Sequence, residues 1–131
     1  MKNIPEKLSI LLEDETKAFA FLATVMPDFT PQVTPVWFNT DGEHIMINSA
    51  KGRVKDVNMR ARPNVALAIP DPENPYNYLQ IRGLVVEIIE EGAHEHFQAL
   101  AQIYTGKHFN TPDDQVRVIY RILPDKVDAH G

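Results

Sequence analysis

The chain has 131 residues, no cysteine and a formal net charge of −5, with 44% of its residues hydrophobic. That is the size of one domain with enough apolar side chains for a core, and it excludes disulfides, thiolate metal centres and a thiol nucleophile. The acidic balance argues against a nucleic-acid partner, and no apolar run approaches the roughly twenty residues that a membrane helix needs, so a soluble, cytoplasmic protein is expected.

Residues Pro5 to Leu12 set Ile4, Leu8, Leu11 and Leu12 at helical spacing, with Pro5 suited to a first turn, and predict a short amphipathic helix. Ala18 to Val25 is a continuous apolar run of strand length. The turn-like residues Met26 to Thr30 separate it from a second run, Gln32 to Phe38, and the pair reads as a hairpin. A turn at Thr40-Asp41-Gly42 leads to a third strand, His44 to Asn48. From Lys51 to Arg60 helix formers replace β-branched residues, and the helix should stop before Pro63. Asn64 to Ile69 is a strand and the proline-rich stretch 70–75 a loop. Tyr76 to Ile89 is a long strand whose hydrophobic phase changes at Gly83, the mark of a bulge or bend. Phe97, Leu100, Ala101 and Tyr104 recur at i, i+3, i+4 and i+7, so residues 93–106 predict a helix ending near Gly106. Val116, Val118, Tyr120 and Ile122 alternate with Arg117, Ile119 and Arg121 in a last strand. Six strands and three short helices predict a mainly β (α+β) single domain over 1–131, folded as a closed or nearly closed antiparallel barrel.

Residues 48–62 stand out, because Lys51, Arg53, Lys55, Arg60 and Arg62 are five of the thirteen Lys and Arg residues of an acidic chain. They open a helix directly after a strand, where unpaired backbone N–H groups already favour an anion. Lys51 and Lys55 are one helical turn apart, Asn58 continues the stripe, Arg53 lies near the first turn, and Asn48 and Ser49 precede them with an amide and a hydroxyl. A phosphate is the natural guest; the other reading is a solvated helix whose cations face water.

A second constellation is Pro31 to Phe38, PQVTPVWF. A proline inside a strand belongs on an edge or at a bulge, where freed backbone groups can meet a flat heteroaromatic ring. Val33, Pro35 and Trp37 share one face and Gln32, Thr34 and Val36 the other. An ordinary barrel strand with an aromatic core residue gives the same pattern.

Taken in order, PQVTPVWF, DGEHIMINSAKGRVKDVN, NVALAIPDPENPY and YLQIRGLVVEI resemble the flavin-binding split-barrel superfamily related to pyridoxamine 5′-phosphate oxidase, and within it the branch that uses the deazaflavin coenzyme F420. The resemblance covers residues 18–106. It implies a homodimer of six-stranded split barrels with a cofactor at the subunit interface. The cofactor phosphate would lie at Arg53, Lys55 and Asn58, supported by Lys51, Ser49 and Asn48, and the ring against Gln32, Val33, Thr34 and Pro35. The loop and strand near Tyr76, Tyr78 and Gln80 would approach from the second subunit.

The expected activity is hydride transfer from coenzyme F420 to a small conjugated or heteroaromatic acceptor. An FMN-dependent oxidoreductase and a cofactor carrier without efficient turnover are the alternatives. Pyridoxamine-phosphate oxidation itself is not expected, since no second basic set follows beyond Arg117 and Arg121, which could face water. Arg60 and Arg62 are candidates for the acidic tail of the deazaflavin cofactor, and Tyr78 for a proton donor. His44, His94, His96, His108 and His130 lack ligand spacing, so no metal is expected and surface or capping roles are assigned to them.

Overall fold

Alternating apolar residues gather the strands of this chain into a single antiparallel sheet, in which one face is dry. The computed structural model, which describes Met1 and residues 4–131, has helix α1 (Glu6–Ser9) with two following 3-10 turns, then β1 (Ala20–Val25), β2 (Pro31–Val36), β3 (Asn39–Thr40), β4 (Ile45–Ala50), α2 (Val54–Ala61), β5 (Asn64–Pro70), β6 (Tyr78–Ile89), α3 (Ala93–Thr105) and β7 (Arg117–His130). The strands are ordered β2-β1-β5-β6-β7-β4-β3, which is the split-barrel α+β architecture. The predicted six strands become seven because Asn39 and Thr40 fold back on Ile45 and Met46.

The inner face carries Ala20 and Leu22 of β1, Ile45 and Ile47 of β4, Leu67 and Ile69 of β5, Leu79 and Ile81 of β6, and Val118, Tyr120 and Ile122 of β7, all essentially inaccessible. Leu8 and Leu11 join them from α1 and the 3-10 turn that continues it, and Met59 from α2. Burying each such side chain contributes about 1.5–3 kcal/mol, so this face holds the fold together. The helix over 93–106 ends as expected at Gly106, whose φ of +71° is the left-handed C-cap that glycine tolerates.

The last strand runs twice as far as its pattern suggested, through Pro124. Past Ile122 it has lost β4 as a neighbour, so the missing N–H of Pro124 breaks no ladder on that side. Opposite it lies Gly83, where the β6–β7 register shifts. A Cβ on Gly83 would stand 2.7 Å from the Leu123 carbonyl oxygen, so the predicted bulge and the glycine serve the same close approach.

Candidate functional site

The strand β2 is an edge, paired only with β1. Pro35 lies opposite Phe21 and Pro31 opposite Val25; lacking N–H groups, both must sit in the non-bonded pairs of the ladder. Val33 shares that parity, so its N–H and C=O point away from β1 to the open edge, and its side chain is exposed.

At the far end of β2 the chain passes Trp37 and returns through β4 into the turn that starts α2. That turn is tied down by Asp56, which accepts hydrogen bonds from the Gly52 N–H at 2.9 Å, from Arg60 Nε at 2.9 Å and from the Tyr120 hydroxyl. Burial works against the Asp56 charge, but those three donors together hold its carboxyl below the usual range. Burial, reinforced by the same carboxylate, pushes the Tyr120 hydroxyl up. Both side chains therefore keep the protonation states this junction needs.

Beside the junction is a pocket of about 210 Å³ lined by Phe19, Pro35, Val36, Trp37, Asn48, Arg53, Lys55, Phe97, Leu100 and Arg117. Trp37 stacks on Tyr104 and Phe97, with ring centroids 5.4 and 6.2 Å away, and Phe109 meets it edge-on at 5.6 Å. The Tyr104 hydroxyl bonds the Ala18 and Phe38 backbone, and burial raises it to about 12. Arg53, Lys55 and Arg117 have no carboxylate partner among the described residues. Burial lowers Lys55, and Arg53 and Arg117 lower it further; burial brings Arg117 down to about 10, with Arg53 adding to the effect.

Of the sequence-predicted residues, the pocket brings together Pro35, Asn48, Arg53 and Lys55. Several others lie elsewhere. Asn58 is 1% exposed; its amide donates to Thr24 Oγ1 at 3.0 Å and its carbonyl accepts from Arg62, so it braces α2 on β1 and cannot reach an anion at the start of the helix. Ser49 points into the core, where its hydroxyl has no partner among the described residues. Lys51 pairs with Glu90 at 3.1 Å. Gln32 accepts a bond from Thr24, and the Thr34 hydroxyl is buried on the inner face. Arg60 and Arg62 are engaged by Asp56, and by the Val25 carbonyl and Asn58, rather than held open for an acidic tail. Tyr78 and Gln80 sit on β6, three strands from β2 in the same chain, with Tyr78 stacked on His130 at 5.0 Å.

Arg117, for which the sequence left a water-facing place open, is 8% exposed beneath α3, with its guanidinium 4.1 Å above the Phe97 ring. Only strand pairing exposes its role, because Ala50 lies opposite Arg117 and so joins the last strand to the basic segment. Among the histidines, His96 is not a surface residue: Asn48 Nδ2 donates to its Nδ1 at 3.0 Å and its Nε2 donates to Asn39 Oδ1 at 2.9 Å.

A separate cavity of about 660 Å³ is a trough on the outer sheet face, lined by Ala23, Ala66 and Gly83 and by Leu84 and Leu123. Among the described residues, no helix is long and apolar enough to cross a membrane.

The open, proline-bearing strand edge and the cationic pocket beside it stand on a split-barrel sheet, and a family model for pyridoxamine 5′-phosphate oxidase matches residues 5–131. The chain belongs to that family, whose members are oxidoreductase-like flavin binders. It is similar to a solved F420 reductase, with 38% identity over 95% of this chain and 98% of the other and a TM-score of 0.85. A pyridoxamine 5′-phosphate oxidase-like protein from Listeria innocua shares the fold at 23% identity, covering 95% of each chain with a TM-score of 0.71. So does a conserved protein from Mycobacterium tuberculosis, at 22% identity over 97% and 85% of the two chains with a TM-score of 0.76. No curated protein matches the chain.

Proposed function

We propose that this protein is one subunit of a dimeric oxidoreductase that binds coenzyme F420 and reduces a small conjugated or heteroaromatic acceptor. The observation that carries the reading is the pair Arg53 and Lys55, without carboxylate partners at the start of α2 and in one pocket with the Pro35 end of the open β2 edge. The donors present fit a phosphate joined to a flat ring. Cations meet the phosphate with charge-assisted bonds, while the Val33 N–H and C=O and the faces of Val33 and Pro35 can meet a ring edge. At about 210 Å³ the pocket is smaller than the 300–1,000 Å³ of a complete ligand site, so it holds one end of the cofactor and the ring lies outside it.

The bound cofactor supplies the hydride chemistry. The chain's own groups anchor the phosphate through Arg53 and Lys55, set the ring distance by the rigid β2 edge, and exclude water with Trp37 and Phe19. The outer sheet face supports the dimer. Leu84 and Leu123, which line the trough, and Phe21 and Val86 on the neighbouring strands β1 and β6 are all about 40% exposed, apolar surface suited to a second copy of the chain. The partner would then bring its own β6, with Tyr78 and Gln80, toward the ring.

Titrating purified protein with coenzyme F420 and with FMN, followed by stopped-flow oxidation of the reduced cofactor with candidate acceptors, tests this. F420 should bind in the micromolar range or tighter, and binding of neither cofactor would refute the reading. FMN is the second reading, favoured by one observation: Arg60 and Arg62 are engaged internally, which leaves few cations for an acidic tail. Light scattering that finds a monomer at micromolar concentration would sink the dimer.

A further inference from the structure

We infer that Arg117 is a third anion-binding residue of the α2 pocket beside Arg53 and Lys55, aimed from behind by Asn48, His96 and Asn39. The inference rests on the cofactor reading above for the identity of the molecule carrying the anion, but not for the site itself.

Arginine is among the residues least often buried without a partner. Here three cations line one small pocket whose lining holds no carboxylate among the described residues, while Asp56 is held by Gly52, Tyr120 and Arg60, and Glu90 by Lys51. Like charges gathered in a partly dry pocket oppose one another, and a bound anion relieves that repulsion.

The aim of Arg117 is fixed. Its Nε donates to Asn48 Oδ1 at 2.8 Å and its Nη1 to Gln115 Oε1 at 3.1 Å, and the plane of the group lies over Phe97. Nη2 has no partner among the described residues, which leaves one end of the fork for a ligand in the pocket that Arg117 lines. Asn48 is held in turn. Its Nδ2 donates to the Ala93 carbonyl at 2.8 Å and toward His96 Nδ1, and His96 Nε2 donates to Asn39. The chain of bonds runs from β3 through α3 to β4 and β7. It requires a neutral His96, and burial, with Arg117 nearby, lowers that imidazole to about 4. Asn48 and His96 are therefore positioning residues, and Arg117 is the one that touches the anion.

The test compares FMN against riboflavin, which differ only in the phosphate, and coenzyme F420 against its deazaflavin precursor, which lacks both the phosphate and the acidic tail, by fluorescence titration at fixed ionic strength. Arg117→Gln should weaken the phosphorylated member about tenfold to a hundredfold, the loss of one charge-assisted bond, and the phosphate-free member less than about twofold. Equal losses on both members, or no loss on either, would overturn the inference. If circular dichroism shows Arg117→Gln unfolded, Arg117→Lys carries the test, with a smaller loss still confined to the phosphorylated member. If the wild type binds neither cofactor, the cofactor reading has failed and inorganic phosphate decides the site. A thermal stabilisation by phosphate over chloride at matched ionic strength that shrinks in the variant sustains Arg117 as a ligand. No stabilisation of the wild type, or the same stabilisation in both proteins, removes it.

Discussion

The two halves of the basic segment both carry cations and have opposite fates. In residues 51–55, Arg53 and Lys55 stay without carboxylate partners and line a pocket. In residues 56–62, Asp56, Asn58, Arg60 and Arg62 spend their hydrogen bonds on the chain itself, fixing α2 to β1, to β7 and to the turn before it. Charge density therefore locates a segment, while an account of each group's partners decides which members are left for a ligand.

The sharpest way to break the contrast is to exchange its two sides. Arg53→Ala with Lys55→Ala should cost two to three orders of magnitude in F420 or FMN affinity, about 3–5 kcal/mol from two charge-assisted contacts. The urea midpoint should stay close to the wild-type value; a large loss of stability instead would make these cations structural. Asp56→Ala should do the reverse. Removing a buried charge with three donors costs about 3–5 kcal/mol, read as a fall in melting temperature. Asn58→Ala belongs on the same side with a smaller effect, about 1–3 kcal/mol, because it strands the Thr24 hydroxyl and Arg62.

A pH series sharpens the network behind the pocket. His96 titrates near 4 in the folded chain and near 6.5 when unfolded. Between those values the unfolded state binds more protons, so its contribution to stability is complete above about 6.5 and is lost as the pH falls toward 4. Urea midpoints of the wild type and His96→Gln should converge over that window; parallel curves would mean that His96 is not held neutral. The smallest effect is expected at Lys51→Ala. Its pair with Glu90 is about half exposed at both ends and contributes no more than roughly 0.5 kcal/mol, most of it screened by salt.

Much of the fold is legible because periodicity reports burial. Val118, Tyr120 and Ile122 alternate in sequence and are inaccessible in space, and the phase change at Gly83 marks a true register shift. What escapes the sequence depends on pairing between distant segments. Arg117 looks like any outward residue of an alternating strand until α3 is laid over it. Asn58 looks like a ligand on a basic stripe until Thr24, from a strand 34 residues earlier, meets its amide. The alternation of the last strand stops at Ile122 in the sequence, and nothing local shows that β7 runs on past Pro124 with β6 as its neighbour. The cationic pocket is half legible for the same reason: Arg53 and Lys55 come from one segment, whereas Arg117, Phe97 and Trp37 arrive from three others.

The prolines of β2 have a further consequence. An uncovered strand edge is a template on which another chain can polymerise, and an edge kept open for a small molecule runs that risk. With Pro31 and Pro35 at two of the outward positions, the exposed side of β2 offers Val33 as its N–H donor between them. Such an edge is too sparse in donors to nucleate an intermolecular ladder. The chain can thus leave this border of the sheet open without inviting aggregation.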